Sequence, residues 1–213
     1  MSVKLVSVTQ PLIDGLNSAE DLIVYCARVS NPENQLNTET GERLLRYCMK
    51  HGHWSVFEQA DMTLEIVTSR AISTQIIRHK SFAFQEFSQR YSEVTRIEPI
   101  ELRKAAEKNR QSSNEIVCDP DLDDSLQTLA CYSQLVYQRL LLNGIAKECA
   151  RMVLPLATST TLCMKGSVRS WIHYFKQRLS EHTQKEHRLI AKAAFEIFKQ
   201  QFPVIAGCLE VQK

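Results

Sequence analysis

The 213-residue chain is 44% hydrophobic and 23% charged, an ordinary balance for a protein that buries a core. A formal net charge of +2 gives no whole-molecule attraction to nucleic acid or membrane, and no apolar run approaches the roughly 20 residues of a bilayer span. The N-terminal MSVKLVSVTQPLIDG lacks a signal-peptide core, and seven scattered cysteines without a CxxC pair read as reduced thiols, most of them small core residues, so the sequence predicts a soluble, cytoplasmic protein.

In chain order, Val3 to Val8 alternates apolar and polar residues, the period of a strand. Ser18 can cap a helix running through Arg28, with Ala19, Leu22, Ile23 and Cys26 as its inward stripe. Glu42 to His51 reads as a second helix stopped by Gly52. Met62, Leu64 and Ile66 alternate with Asp61, Thr63 and Glu65 as a half-buried strand, and Arg70 to Arg78 follows with helical spacing. The polar, two-proline segment from Arg96 to Asp124 is the candidate mobile excursion. A long helix from about Ser125 to Asn143, ended by Gly144, precedes a shorter one to about Met152. Ser167 can cap a helix with Val168, Trp171, Ile172, Phe175 and Leu179 on one face. A last helix, Thr183 to Gln200, leads into an expected strand at Val204 to Leu209. The mixture predicts an α+β fold. No GxGxxG turn follows a strand, so it is not a Rossmann fold.

The segment from Gln75 to Ser92 carries the most chemistry. Arg78, His79 and Lys80 end a helix, Arg90 returns ten residues after Lys80, and Glu86, Ser88 and Gln89 lie between. Cations at a helix C-terminus are favourable for dipole reasons alone, by about 0.3–1 kcal/mol each. The fuller pattern offers more. Arginine presents a planar donor fork to phosphate, Ser88 and nearby amides could complete an oxyanion cradle, and Gln75 and Gln89 carry both donors and acceptors, which suits a pyrimidine edge.

Here the chain resembles the flavin-dependent thymidylate synthases, which are recognised by RHR, seven residues, then Ser. Arg78-His79-Lys80, seven residues and Ser88 match it, followed by Gln89-Arg90-Tyr91-Ser92. Gly52-His53-Trp54-Ser55-Val56-Phe57-Glu58 matches the family's Gly-His-x-Ser/Thr-x-Phe-Glu, Ala27 to Ser30 reads Ala-Arg-Val-Ser, and Ala150-Arg151 to Leu154-Pro155 matches Ala-Arg-x-x-Leu-Pro. The helix from Ser167 through Arg169, His173 and Arg178 to His182, Gln184 and Glu186 resembles the family's as well, so the ordered motifs span about residues 25 to 187.

The resemblance implies one synthase domain over residues 1–213, a helical protein with a small, mainly antiparallel sheet. It implies reductive methylation of dUMP to dTMP, with 5,10-methylenetetrahydrofolate as carbon donor and tightly bound FAD, reduced by NADPH, as hydride carrier. Ser55, Glu58, Arg78, His79, Lys80, Glu86, Ser167, Arg169, His173 and His182 would bind FAD. Gln75, Arg78, Glu86, Ser88, Gln89, Arg90, Arg151 and Arg178 would bind dUMP. At the reaction itself stand Arg178, which would favour ionisation of the uracil at N3, Ser88 as a phosphate ligand rather than a nucleophile, and His53, near folate and flavin. The family is homotetrameric, with sites shared between subunits.

Taken singly, these residues also have plainer readings. Arg169 and His173 stand at i and i+4 on what could be an exposed helix face. Arg178 could be a salt-bridging helix residue, and His53 a capping or surface histidine. Three positions depart from the family pattern: Lys80 keeps the charge of the usual Arg but loses its fork, Gln89 stands where a small residue is common, and Ser167 where Asn is common. Two other classes compete. Phe82, Phe84, Phe87 and Tyr91 interleave with cations as in single-strand binders, but the low net charge opposes that. A metallohydrolase is opposed by the absence of HExxH and by His182 and His187, which five residues rotate about 140° apart on a helix. The expectation is no metal and no nucleic-acid or membrane partner.

Overall fold

Alternating burial is what makes the second strand of this protein. In the computed structural model, which describes residues 1–94, 96–107 and 112–210, Asp61–Ser69 buries every second side chain, including Met62, Leu64, Ile66 and Thr68. The elements in order are β1 (Ser2–Val8), α1 (Ala19–Ala27), α2 (Gly41–His51), β2 (Asp61–Ser69), α3 (Arg70–Ile76), β3 (Ala83–Glu86), β4 (Arg103–Ala105), β5 (Ser113–Ile116), α4 (Pro120–Leu142), α5 (Lys147–Ala150), β6 (Ser159–Ser167), α6 (Val168–Arg178), α7 (Lys185–Gln201) and α8 (Pro203–Glu210), with 3-10 turns at Pro32–Asn34, Trp54–Glu58 and Arg151–Val153. The fold is α+β, mixed helices with a small antiparallel sheet. The main sheet has the order β1-β2-β6-β3, and β4 pairs with β5 separately. The chain forms two compact units, one of Met1, 67–78 and 85–162, the other of 2–66, 79–84 and 163–213.

In the second unit, Ser18 caps α1 with a full capping box: its hydroxyl accepts from the Asp21 N–H while the Asp21 carboxylate accepts from the Ser18 N–H. Gly52 ends α2 in the left-handed conformation, φ +70°. The core gathers on α6 and α7, where Trp171, Tyr174, Phe175, Phe195 and Phe198 pack ring on ring. Trp171 satisfies its buried N–H on the Met62 carbonyl at 3.0 Å. In the first unit, Val94, Tyr137 and Ala150 form a smaller core with Phe87, Leu140, Leu141 and Leu154.

Several expectations are corrected. The expected strand at Val204 to Leu209 is helix α8, because Pro203 suits a first helical turn and the buried Glu20 carboxylate accepts from the Val204 and Ile205 N–H groups at 3.3 and 2.9 Å. The long helix begins at Pro120 rather than Ser125, since Asp119 accepts from the Asp121 and Leu122 N–H groups. The 96–124 segment contains the β4–β5 pair, in which Arg103 faces Ile116, as well as the start of α4. Residues 108–111 of that segment lie outside the described residues. On α1, Glu20 and Val24 are buried where Leu22 and Cys26 are only half-buried. The seven cysteines are free, but only Cys48 is buried, and Cys118, Cys131 and Cys149 are exposed. Strands β3 and β6 carry no expectation from the sequence. Among the described residues, no helix is long and apolar enough to cross a membrane.

Candidate functional site

Residues 67–78 and 85–162 hold the first group of expected ligands. Gln75 is half-buried on α3, and Arg78 is exposed beyond that helix, with no hydrogen bond or ion pair among the described residues. Glu86, at the end of β3, accepts from Arg70 at 2.7 Å and from the Thr160 hydroxyl at 3.0 Å. The carbonyl of the exposed Ser88 accepts from the N–H groups of Tyr91 and Ser92, closing the turn that holds Ser88 to Ser92. Gln89 sits inside that turn, 7% exposed, and its buried Nε2 donor has no hydrogen-bond partner among the described residues. A buried amide donor without a partner costs about 1–3 kcal/mol, the kind of defect that a ligand acceptor relieves.

Arg90 and Arg151 converge on one residue. Arg90 pairs with the Glu148 carboxylate at 3.3 Å, and the Arg151 Nε–H donates to the Glu148 carbonyl at 3.4 Å. Lys147, beside it, donates to the Tyr91 carbonyl at 3.2 Å and faces Glu93 at 3.8 Å. Two expected dUMP ligands are thus neighbours, with a third cation beside them.

In the other unit, Glu58 and Arg169 form a half-exposed pair at 3.1 Å. One turn along α6, His173 lies tilted against Trp54 with ring centroids 5.1 Å apart, and the Lys176 ammonium lies 5.2 Å over the same indole. Desolvation first, then Arg169 and Lys176, lower the His173 pKa against the opposing Glu58. Arg169 and His173 thus share an exposed edge of α6 with Glu58 and Trp54. Ser167 uses its hydroxyl as the N-cap of α6, accepting from the Ser170 N–H at 3.3 Å. His53 stands at the N-cap position of the Trp54–Glu58 turn without a side-chain cap bond; it is exposed, edge-on to Tyr47 at 5.5 Å and tilted against His51 at 6.3 Å. The side chains of Ser55, Lys80 and His182 are exposed and make no hydrogen bond or ion pair among the described residues.

The second cluster of this unit surrounds Arg178. Its Nε–H donates to His79 Nε2 at 2.8 Å. Burial, with the neighbouring guanidinium, lowers His79 to about 4, so the ring is neutral at pH 7 and has a lone pair to offer. Arg178 is half-buried at the end of the helix, and its terminal nitrogens make no hydrogen bond among the described residues. Behind His79, Tyr174 stands edge-on with centroids 5.0 Å apart, and the Tyr174 hydroxyl meets His187 Nε2 at 3.1 Å. Sequence reasoning did not find Arg70, Glu148, Tyr174 or His187. Only Tyr174 carried a signal, standing four residues before Arg178 on the same helix face.

Ala27, Arg28 and Ser30 line a cavity of about 510 Å³ with Asn31, Thr40, Arg43 and Tyr47. Arg28 itself is structural, its buried guanidinium donating to the Asn34 and Asn37 carbonyls and the Thr40 hydroxyl. No group of three or more metal-ligating side chains is assembled among the described residues.

Residues 11–204 match the family model described as thymidylate synthase complementing protein. The chain is 51% identical over 214 residues to a probable flavin-dependent thymidylate synthase of Paramecium bursaria Chlorella virus 1, covering 99% of both proteins. It is also 51% identical to the flavin-dependent thymidylate synthase of a Synechocystis strain, covering 99% of this chain and 100% of that one. Among solved structures, the UMP/dUMP methylase PolB of Streptomyces cacaoi, bound with 5-Br dUMP, superposes with a TM-score of 0.80 at 26% identity, over 99% of this chain and 94% of that one. These similarities run nearly end to end. The chain belongs to the flavin-dependent thymidylate synthase family and is an enzyme.

Proposed function

We propose that the chain converts dUMP to dTMP by reductive methylation, with 5,10-methylenetetrahydrofolate as carbon donor and FAD, reduced by NADPH, as hydride carrier. The observation that carries this reading is Arg178, whose Nε is fixed on a neutral histidine while its terminal nitrogens remain available to a ligand. A guanidinium held this way stabilises negative charge on a uracil ring without transferring a proton, and a preorganised donor of that kind is worth about 3–4 kcal/mol in the transition state. The PolB methylase, which binds 5-Br dUMP, supports a pyrimidine nucleotide as substrate.

Arg90, Arg151 and Ser88 receive the nucleotide phosphate, the arginines turning from Glu148 to the stronger charge-assisted contact. Gln89 supplies its unpartnered donor, and Gln75, Arg78 and Glu86 complete the dUMP set. The donor set also suits a flavin dinucleotide: Arg78 and Lys80 have no partner for their charge among the described residues, and Glu58, Arg169 and His173 offer an acceptor, a cation and a ring together. Reduced flavin, when bound, supplies hydride from N5 and carries negative charge near N1. Arg78 and Lys80 neutralise that charge, with the neutral His79, Ser55, Glu86, Ser167 and His182 as further contacts, and His53 faces the folate. The chain acts as one functional domain, in a cytoplasmic homotetramer with shared sites.

The test is direct. Purified protein should take up FAD, show the visible flavin spectrum, and form dTMP from dUMP, NADPH and methylenetetrahydrofolate. Arg178→Ala should lower kcat by about 10²–10³ with flavin retained. Arg90→Ala should mainly raise the dUMP KM. A protein that cannot be reconstituted with FAD, or two variants with wild-type turnover, would overturn the reading.

A further inference from the structure

We infer that Tyr174 and His187 are positioning residues for the reaction: as a buried hydrogen-bonded pair, they fix the His79 ring so that its Nε2 accepts from Arg178 and turns the guanidinium fork outward. The inference rests on the role proposed above for Arg178 and His79, and adds two residues that the family motifs do not contain.

The geometry runs in one direction. Tyr174 and Arg178 stand at i and i+4 on α6, so they present one face. His79 fits across that face, edge-on to Tyr174 at 5.0 Å, edge-on to His187 of α7 at 6.3 Å, and bonded to Arg178 at 2.8 Å. Phe82 closes another side, T-shaped at 6.3 Å. Neither member of the pair is at the surface: Tyr174 is 1% exposed and His187 is fully buried. A packing role alone would be filled by phenylalanine and leucine. A tyrosine hydroxyl and an imidazole buried together bring a desolvation cost that packing does not require, and their 3.1 Å contact ties α6 to α7 beneath the His79 ring.

The consequence lies in the tautomer. Nε2 of His79 accepts, so it carries no proton, and the neutral ring holds its proton at Nδ1. A ring free to turn over would present Cε1–H to the guanidinium in half its orientations, leaving the Arg178 Nε–H without its acceptor and the tautomer without the contact that fixes it. Rings packed on three sides prevent the flip, and the Tyr174–His187 bond holds two of those rings in place. Arg178 then keeps one rotamer in the absence of ligand, which is the preorganisation a charge-stabilising group needs.

The experiment compares Tyr174→Phe, His187→Phe and His187→Gln with wild type in the FAD-loaded enzyme, reading kcat, dUMP KM and the 15N shifts of the His79 ring. Tyr174→Phe keeps the ring and loses only the hydroxyl. It should lower kcat about tenfold with KM unchanged, and move the His79 nitrogens from one fixed tautomer to an average. His187→Phe should do the same, whereas His187→Gln, which can still bond the tyrosine, should recover most of the loss. A merely structural pair would change melting without altering the nitrogen signature. Overturning results are a single fixed tautomer in Tyr174→Phe, or equal turnover in the two His187 variants. If wild type formed no dTMP, the proposed reaction would fall, while the 15N comparison would still test the positioning.

Discussion

Helices α6 and α4 solve opposite problems. The 11 residues of α6 bury six side chains (Val168, Ser170, Trp171, Ile172, Tyr174 and Phe175), whereas the 23 residues of α4 bury only Ser133 and Tyr137. Leu122, Leu129, Tyr132, Leu135 and Leu142 stay exposed along α4. A surrounded helix can hold a charged group in one pose, and α6 carries Arg169, His173 and Arg178. A helix with an open apolar face gains little from its own chain and has much to gain from a second copy, in keeping with the proposed homotetramer.

Removing the largest ring should expose the contrast most strongly. Trp171→Ala deletes a fully buried indole and its hydrogen bond to Met62. It should cost about 3–5 kcal/mol in urea unfolding, while Leu129→Ala on α4 stays within about 0.5 kcal/mol when measured on the dissociated chain. Equal costs would erase the distinction. Next in size is Gly166→Ala on β6. The added methyl would collide with the buried Phe82 ring, so about 1–3 kcal/mol should be lost to overpacking. An unchanged urea midpoint would mean that the Phe82 ring yields freely.

The α6–α7 region also predicts a pH dependence. Burial, with Arg178 and His79 nearby, lowers His187 from 6.5 to about 3. Below pH 6.5 the unfolded chain takes up a proton that the folded one refuses, so stability falls as pH drops from 6.5 toward about 3, by about 1.4 kcal/mol per pH unit for this group. His79 adds to the fall down to about 4. Glu20 runs the other way: burial raises its carboxyl above 4.5, so its contribution declines as pH rises past 4.5 and partly offsets the histidines just above that point. Urea midpoints measured between about pH 7 and 5 should fall with pH in wild type, and the fall should be shallower in His187→Gln.

How much of this was legible in the sequence follows from how local each cause is. The Ser18 capping box, the Gly52 stop and the alternation of β2 are written in neighbouring residues, and each was read correctly. Strand β6 was not, because two of its four buried positions are Thr160 and Gly166, which weaken the apolar alternation. The Val204 to Leu209 segment was misread because its decisive cap, Glu20, lies 184 residues upstream of Val204. Ordered motifs located the ligand candidates, but not the residues that hold them. Glu148 gathers Arg90 and Arg151, and His187 stands behind His79, through contacts that no spacing rule encodes. The expected burial of the cysteines failed for a related reason: Cys131 and Cys149 lie on α4 and α5, in the unit with the smaller core.

The α4 face gives the next break point. Replacing Leu129 and Leu135 together by Glu puts two charges on an exposed apolar surface, which should hardly alter the fold of a single chain. If a second copy covers this face, the same charges must be desolvated in the interface, and sedimentation should show the assembly falling to smaller species. An assembly of unchanged mass would locate the contact elsewhere.

The smallest effect belongs to Glu148. Its pair with Arg90 is exposed on both sides, 67% and 56%, so its loss should cost the fold about 0–1 kcal/mol. If Arg90 receives the phosphate as proposed, the value of Glu148 lies in restraint: its carboxylate pairs with Arg90 and lowers the positive potential there. Glu148→Gln should therefore tighten dUMP binding modestly, by no more than about fivefold, and make it more sensitive to salt, because the freed guanidinium then meets the phosphate without a competing anion. Weaker binding in Glu148→Gln would mean that the carboxylate orients Arg90 more than it competes for it.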